Sequence, residues 1–233
     1  MLTKKIALLY TGGKDSTFAI EVLKSKGYRV TCLVTLISEN AESYMLHSAS
    51  IKMTKLSAKA LDIPIHFGLT KGKKEEELVD MERTIAEARR IRDFDYLASG
   101  GLSSNYQKSR IEKISESIGI SSIAPLWGID QRSYVHELVA KKYKFILTSV
   151  SSAGLDEKWL GRQIDEVAIE ELLGLSQKYQ FNAAFEGGEA ETLVLDCPLY
   201  ADKRIQILES RKDWKGDRGT LIIEHAELVD KKG

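Results

Sequence analysis

Between an apolar run, Lys4 to Tyr10, and an amphipathic one that begins at Thr17, the chain reads Thr11-Gly12-Gly13-Lys14-Asp15-Ser16. Adjacent glycines let backbone N–H groups close on an anion, a following helix N-terminus adds partial positive charge, and Lys14 supplies a full one. The chemistry such a loop serves is phosphate binding. A Walker A loop ending at Gly13-Lys14 needs glycine at position 8 and Ser or Thr at 15, where Leu8 and Asp15 stand. A dinucleotide fingerprint needs a third glycine where Ser16 stands. The plain alternative is a tight turn with Asp15 or Ser16 as helix N-cap. A second cluster, Glu186-Gly187-Gly188-Glu189-Ala190-Glu191-Thr192, sets three carboxylates about a glycine pair. A sharp turn there would converge them on a cation, whether an ammonium group or a metal, and one could serve as a general base. An acidic hairpin turn is the structural alternative.

The elements that must hold these groups follow from apolar periodicity. Short apolar runs rich in Val, Ile, Leu and Thr, at Lys4 to Tyr10, Tyr28 to Ile37, Ile63 to Gly68, Tyr96 to Gly100 and Ile120 to Pro125, read as buried strands. They alternate with helical patterns at Thr17 to Lys26, Ser48 to Leu61, Lys74 to Arg92 and Ser104 to Ile118. That alternation predicts a doubly wound parallel sheet of α/β class, which binds ligands beyond the carboxyl ends of its strands. The glycine loop falls at such an end. Beyond it, a helix over Gln131 to Lys142, a strand over Lys144 to Val150 and a long helix from Leu160 to Tyr179 are expected. Short runs at Thr192 to Leu195, Arg204 to Leu208 and Leu221 to Leu228 read as antiparallel strands. The expected division is therefore an α/β domain over 1–126 that carries the anion loop and a smaller α+β domain over 127–233 that recognises substrate or completes the site.

Composition narrows the class. The 233 residues carry 34 Lys+Arg against 34 Asp+Glu and are 43% apolar, which suits a folded globular protein rather than a disordered chain. Residues 1–125 hold 19 basic and 15 acidic side chains, an imbalance that favours an anionic ligand in the first half. With no net charge, direct binding to nucleic acid is not expected. The longest uncharged run, Ser117 to Ile129, is broken by Gly119, Pro125 and Gly128 and is too short for a bilayer span. No leader pattern precedes Gly12, so a cytoplasmic location without membrane attachment is expected. Cys32 and Cys197 stand far apart and outside any metal-ligand spacing, so both read as core thiols.

The loop resembles the PP-loop, Ser-Gly-Gly-x-Asp-Ser, of ATP pyrophosphatases, with Thr11 keeping the first hydroxyl. Further stretches narrow the likeness: Glu42 to His47, Gly100 to Glu112 with Arg110, Pro125 to Gln131, Gly154 to Glu157, Leu160 to Arg162, and Glu186 to Thr192 followed by Val194 to Pro198. Together they resemble the diphthine-ammonia ligases and their archaeal relatives over nearly the whole chain. The resemblance implies an adenine nucleotide alpha hydrolase-like fold and ATP-dependent amidation of diphthine, a modified histidine of translation elongation factor 2. The reaction releases AMP and pyrophosphate.

On this resemblance Thr11, Gly12, Gly13, Lys14, Asp15, Ser16, His47, Gly100 and Arg110 would bind ATP, and Asp15 would help to hold Mg²⁺. Lys14 and Asp15 would serve catalysis with Glu186, Glu189 and Glu191. Tyr44, Tyr106, Trp127, Glu186, Gly187, Gly188 and Thr192 would face the substrate. For His47 and Arg110 an ordinary exposed role stays open, and for Tyr44, Tyr106 and Trp127 a core role stays open. If the aromatics are exposed, their rings suit the trimethylammonium group of diphthine. The partners implied are the diphthine-bearing elongation factor and ammonium, and self-association is left open. Two departures from the family pattern stand out: Ala190 where an aromatic is common, and Phe185 where glycine is common. Two other readings remain at this level, a PP-loop enzyme that modifies tRNA and an ATP-binding module without turnover.

Overall fold

The computed structural model describes residues 4–38, 53–71 and 76–231. The chain divides into two compact units. The first runs to Thr11 and resumes from Asp15 to Gly128, and the second joins Gly12–Lys14 to the chain from Ile129 onward.

The first unit follows the alternating pattern: β1 (Lys4–Leu9), α1 (Lys14–Ser25), β2 (Tyr28–Ser38), α2 (Thr54–Leu61), β3 (Ile65–Thr70), α3 (Glu76–Ile91), β4 (Tyr96–Ala98), α4 (Asn105–Ile118) and β5 (Ser121–Ile123). Its strands are all parallel in the order β3-β2-β1-β4-β5. Because side chains alternate across a strand, Ala7 on β1 and Cys32, Val34 and Leu36 on β2 share one face. That face packs on Met81, Ile85 and Ala88 of α3 and Ile111 and Ile114 of α4. Ile6 and Leu8, wholly buried, point to the other face. Burying both faces is what makes these strands read as continuous apolar runs.

In one respect the first unit differs from expectation. The helix after β1 begins at Lys14 rather than Thr17, so Lys14, Asp15 and Ser16 are its first turn and only Tyr10 to Gly13 connect strand to helix. Gly12, at φ +81°, takes a backbone conformation that side chains disfavour and turns the chain within that short connection.

The second unit contains α5 (Gln131–Ala140), β6 (Lys144–Val150), α6 (Glu166–Tyr179), β7 (Ala190–Asp196), β8 (Lys203–Lys215) and β9 (Arg218–Asp230). Its strands form an antiparallel sheet in the order β7-β6-β9-β8. The helix expected from Leu160 starts only at Glu166. The intervening residues are held to β6 instead: Gly161 N–H donates to the Leu147 carbonyl and Ile164 N–H to that of Phe145, both at 2.9 Å. Asp165 then caps α6 by accepting from Ala168 N–H. The short runs expected near residues 204 and 221 are parts of one long hairpin, joined by Gly216-Asp217 with Gly216 at φ +66°. Polar outward positions hid its length, since most of β8 beyond Ile207 is exposed.

Both cysteines are free and buried, on β2 and just after β7. Burial pushes each thiol up to about 11, although the guanidinium of Arg92 opposes the rise at Cys32 and the N–H of Tyr200 opposes it at Cys197. Neither is a thiolate at neutral pH, and neither is reactive there. In native protein both are expected to resist a thiol reagent at pH 8 and to react together once denaturant is added. Labelling of either thiol at its free-thiol rate before unfolding would contradict this placement.

Candidate functional site

In the first sheet the order of connection reverses between β1 and β4, because β2 lies on one side of β1 and β4 on the other. Open α/β sheets leave a crevice for ligands beyond the carboxyl ends of two such strands. The residues after β1 are Tyr10 and Thr11, and those after β4 are Ser99 and Gly100. Tyr10 is fixed by main-chain bonds, its N–H donating to the Val34 carbonyl at 2.9 Å and its carbonyl accepting from the Thr35 hydroxyl at 2.6 Å. Its own hydroxyl lies 3.2 Å from that of Thr17 on α1. The strand end and the helix start are thus tied before any ligand arrives.

The hydroxyls of Thr11 and Ser16 lie 3.3 Å apart, and Ser16 Oγ also accepts from Thr11 N–H at 3.3 Å. Ser16 is therefore not the N-cap of α1 but its third residue, and its hydroxyl bonds back across the turn to Thr11. Gly100 meets the same turn from β4. A Cβ at Gly100 would stand 2.8 Å from Ser16 N and 2.9 Å from the Asp15 carbonyl carbon, both main-chain atoms that cannot swing aside. Gly100 therefore lets the β4 loop lie directly against the first turn of α1, the end of a helix whose dipole favours an anion.

Arg110 lies in the second turn of α4, half-buried, with its guanidinium carbon 3.3 Å from the centre of the Tyr106 ring. Trp127 is half-buried and carries the Lys108 ammonium 4.4 Å from its ring centre. Tyr106 is 41% exposed, so the core role left open for these two aromatics is not what the structure gives. Each is already a cation-binding face, occupied by a neighbouring side chain on α4. His47 and Tyr44 lie outside the described residues.

The tripeptide Gly12–Lys14 belongs by its packing to the second unit. The Gly12 carbonyl accepts from Val194 N–H at 3.0 Å, and Lys14 N–H donates to Thr192 Oγ1 at 3.1 Å. Lys14 is 1% exposed, and its ammonium donates to the Ala184 carbonyl at 2.7 Å and lies 5.5 Å and 5.8 Å from the ring centres of Phe185 and Tyr134. The full charge expected to face phosphate is thus turned into protein.

The three glutamates are not equivalent. Glu189 folds back on its own turn, its two carboxylate oxygens accepting from Asn182 N–H at 2.9 Å and Gly187 N–H at 2.8 Å. Glu186 is half-buried in the turn, and Glu191 is half-buried on β7 opposite Ser149 of β6. Gly187 and Gly188 are exposed, and the Gly188 carbonyl accepts from the Ser151 hydroxyl at 2.7 Å. Ala190 begins β7 opposite Val150 and is buried there. Sequence reasoning passed over Asn182 and Ala184, which shape this turn. Their signal, an Asn before small residues, is a common turn composition with no chemistry of its own.

Family models described as the diphthamide synthase N-terminal domain and the diphthamide synthase C-terminal domain match residues 4–122 and 130–229. The chain belongs to the diphthamide synthase family. Curated relatives named diphthine–ammonia ligase include those of Schizosaccharomyces pombe, 31% identical over 95% of this chain, and of Mus musculus and Bos taurus, each 28% identical over 85% and 86% of it. The chain spans 37% of the length of the fission-yeast protein and 81% and 82% of the two mammalian ones. The departure expected at Phe185 from the resemblance has a physical side: its φ of +63° lies in the region that favours glycine. The ring offsets the strain by stacking on Phe181, 6.4 Å away, and lying against the Lys14 ammonium.

Two outcomes follow from this geometry. Gly100→Ala is expected to leave the fold intact and to weaken ATP binding by about tenfold or more, since main chain must shift to admit the methyl group. Calorimetric titration with ATP checks it, and unchanged affinity would remove Gly100 from the site. Phe185→Gly is expected to be more stable than Phe185→Ala by about 1 kcal/mol, because both lose the ring but only alanine keeps the φ penalty. Urea unfolding midpoints decide between them, and equal midpoints would mean that φ carries no strain here.

Proposed function

We propose that this protein catalyses ATP-dependent amidation of diphthine on translation elongation factor 2, using ammonium and releasing AMP and pyrophosphate. The observation that carries the reading is the glycine turn at the strand-order reversal, with Gly100 lying bare against the first turn of α1. The names of the relatives supply the substrate.

An unactivated carboxylate resists ammonia at neutral pH because oxide is a poor leaving group. Attack of a diphthine carboxylate oxygen on the α-phosphorus of ATP expels pyrophosphate and leaves AMP as the leaving group on the acyl carbon. Ammonia then attacks that carbon, the C–O bond to AMP breaks, and the amide remains after loss of a proton. Main-chain N–H groups of the loop and the positive end of α1 would meet the negative charge on the phosphates. The hydroxyls of Thr11 and Ser16, already paired across the turn, would orient them, and Arg110 is the guanidinium proposed for the same nucleotide.

Mg²⁺ would neutralise phosphate charge and favour departure of pyrophosphate. Among the described residues no group of three or more His, Cys, Asp or Glu side chains is placed to hold a metal alone. Mg²⁺ bound mainly through nucleotide phosphates asks for only one or two carboxylates. Asp15, half-buried in the first turn of α1, fits that demand. Glu186 and Glu191, with Gly187, Gly188 and Thr192 beside them, are assigned to the ammonium and the substrate cation, and one of the two carboxylates takes the proton that ammonium must lose. Tyr106 and Trp127 are proposed to face the trimethylammonium group.

Among the described residues no helix is long and apolar enough to cross a membrane, and the reaction is proposed to take place in the cytoplasm, where the elongation factor works. Incubation with ATP, Mg²⁺, ammonium and diphthine-bearing elongation factor is expected to yield AMP. High-resolution mass analysis of the factor should show the small decrease that replaces a hydroxyl by an amino group. ADP in place of AMP, or AMP without a change in the factor, would refute the assignment.

A further inference from the structure

Three main-chain or side-chain groups of Gly12–Lys14 are held by one stretch of the second unit. Val194 on β7 takes the Gly12 carbonyl, Thr192 takes the Lys14 N–H, and the Ala184 carbonyl takes the Lys14 ammonium. The ammonium is lined by apolar groups as well as the two rings, with Val135, Ile169 and Leu172 around the same small cavity. A carbonyl dipole and ring faces can hold a buried ammonium, but only while they stay in place.

What keeps the Ala184 carbonyl in place is the turn after α6. Ala184 N–H donates to Asn182 Oδ1 at 2.8 Å and Phe185 N–H to the Asn182 carbonyl at 2.9 Å. Asn182 N–H in turn donates to Glu189, whose other oxygen takes Gly187 N–H. A hydrogen-bonded path therefore runs from the Glu189 carboxylate through Asn182 and Ala184 to the Lys14 ammonium, and the backbone of Lys14 is the start of the anion-binding helix.

We infer that Lys14 and Glu189 are positioning residues that together set the glycine loop, and that neither touches ATP or the diphthine carboxylate. This rests on the ATP-binding part of the proposed function. Lys14 ties Gly12–Lys14 to the turn and strand they pack with, and Glu189 braces the turn that receives the Lys14 ammonium. The phosphates are left to main-chain N–H groups and to cations other than Lys14.

The test begins with the unaltered full-length protein. Reductive methylation with formaldehyde, mapped by mass spectrometry with and without ATP, is expected to modify the exposed Lys24 and Lys26 and to spare Lys14 in both conditions. Methylation of Lys14 in nucleotide-free protein overturns the inference, most directly if ATP then protects it. ATP dissociation constants of Lys14→Met, Glu189→Gln and the double variant supply the second readout, one that a role in fold stability alone would not move. Each single change is expected to weaken ATP binding by about tenfold, the scale of one lost charge-assisted hydrogen bond, and the pair no more than the worse single. Multiplying effects would mean that the two residues act separately and would overturn it. Labelling uses no variant, so it decides the inference even where a substituted chain fails to fold. AMP formation is read separately: its absence with Lys14 spared and the coupling present counts against the ligase assignment and not against the positioning role.

Discussion

The chain must leave a fully buried parallel strand and enter a helix within four residues, Tyr10 to Gly13, and that constraint governs the rest of the first unit. Only a backbone free of Cβ penalties makes the turn at Gly12, and only a glycine at position 100 lets the neighbouring strand's loop lie against it. The parallel sheet supplies the reason that both matter. Strands buried on both faces offer their ends to ligands, and the reversal of order between β1 and β4 opens one of them. A short glycine connection there leaves helix N–H groups unpaired by the helix itself, which is the physical requirement for binding phosphate.

The second unit shows how a turn can be rigid although its residues look suited to chemistry. Carboxylates on both sides of a glycine pair invite a reading as an acid-base cluster. Yet one of the three is consumed in accepting two main-chain N–H bonds, an arrangement that stabilises the turn and removes that carboxylate from other work. Phe185 adds to this rigidity. A bulky residue at φ +63° persists only where its surroundings hold it, and here they are Phe181 and the Lys14 ammonium. A phenylalanine here thus accepts a strained backbone in return for a ring that helps enclose a cation.

Much of the first unit was legible because burying both faces writes strands as unbroken apolar runs and amphipathic helices as 3.6-residue patterns. All five strands and the helices around them emerged near their expected places, and β6 was read at its observed limits. The stretch from Leu160 to Asp165 was not legible. Its apolar residues match a helix, but main-chain bonds to Leu147 and Phe145 tie it to β6, and no local pattern records a bond made to a distant strand. The glycine loop was readable as an anion site because Gly12 and Gly13 have a backbone purpose that residue type reveals. The fate of Lys14 was not, since a lysine after two glycines looks the same whether it turns outward to a phosphate or inward to Ala184.

The aromatic rings pose a question of exchange. Trp127 already holds the Lys108 ammonium, and Tyr106 already holds the Arg110 guanidinium. If the trimethylammonium group of the proposed substrate comes to either ring, it displaces a resident cation of equal charge, and each partly exposed pairing is worth roughly 0.5–1 kcal/mol. The exchange is nearly even unless the displaced side chain gains something by moving. Lys108 has such an outlet in Glu112, one helical turn on and 3.9 Å from its ammonium, and Arg110 has one in any phosphate brought to the loop it is proposed to serve. If Arg110 turns to the nucleotide, the Tyr106 ring is bared at the same moment. Binding of ATP would then precede and favour binding of the substrate cation, an order that follows from two cations competing for one ring face and from nothing more elaborate in the fold.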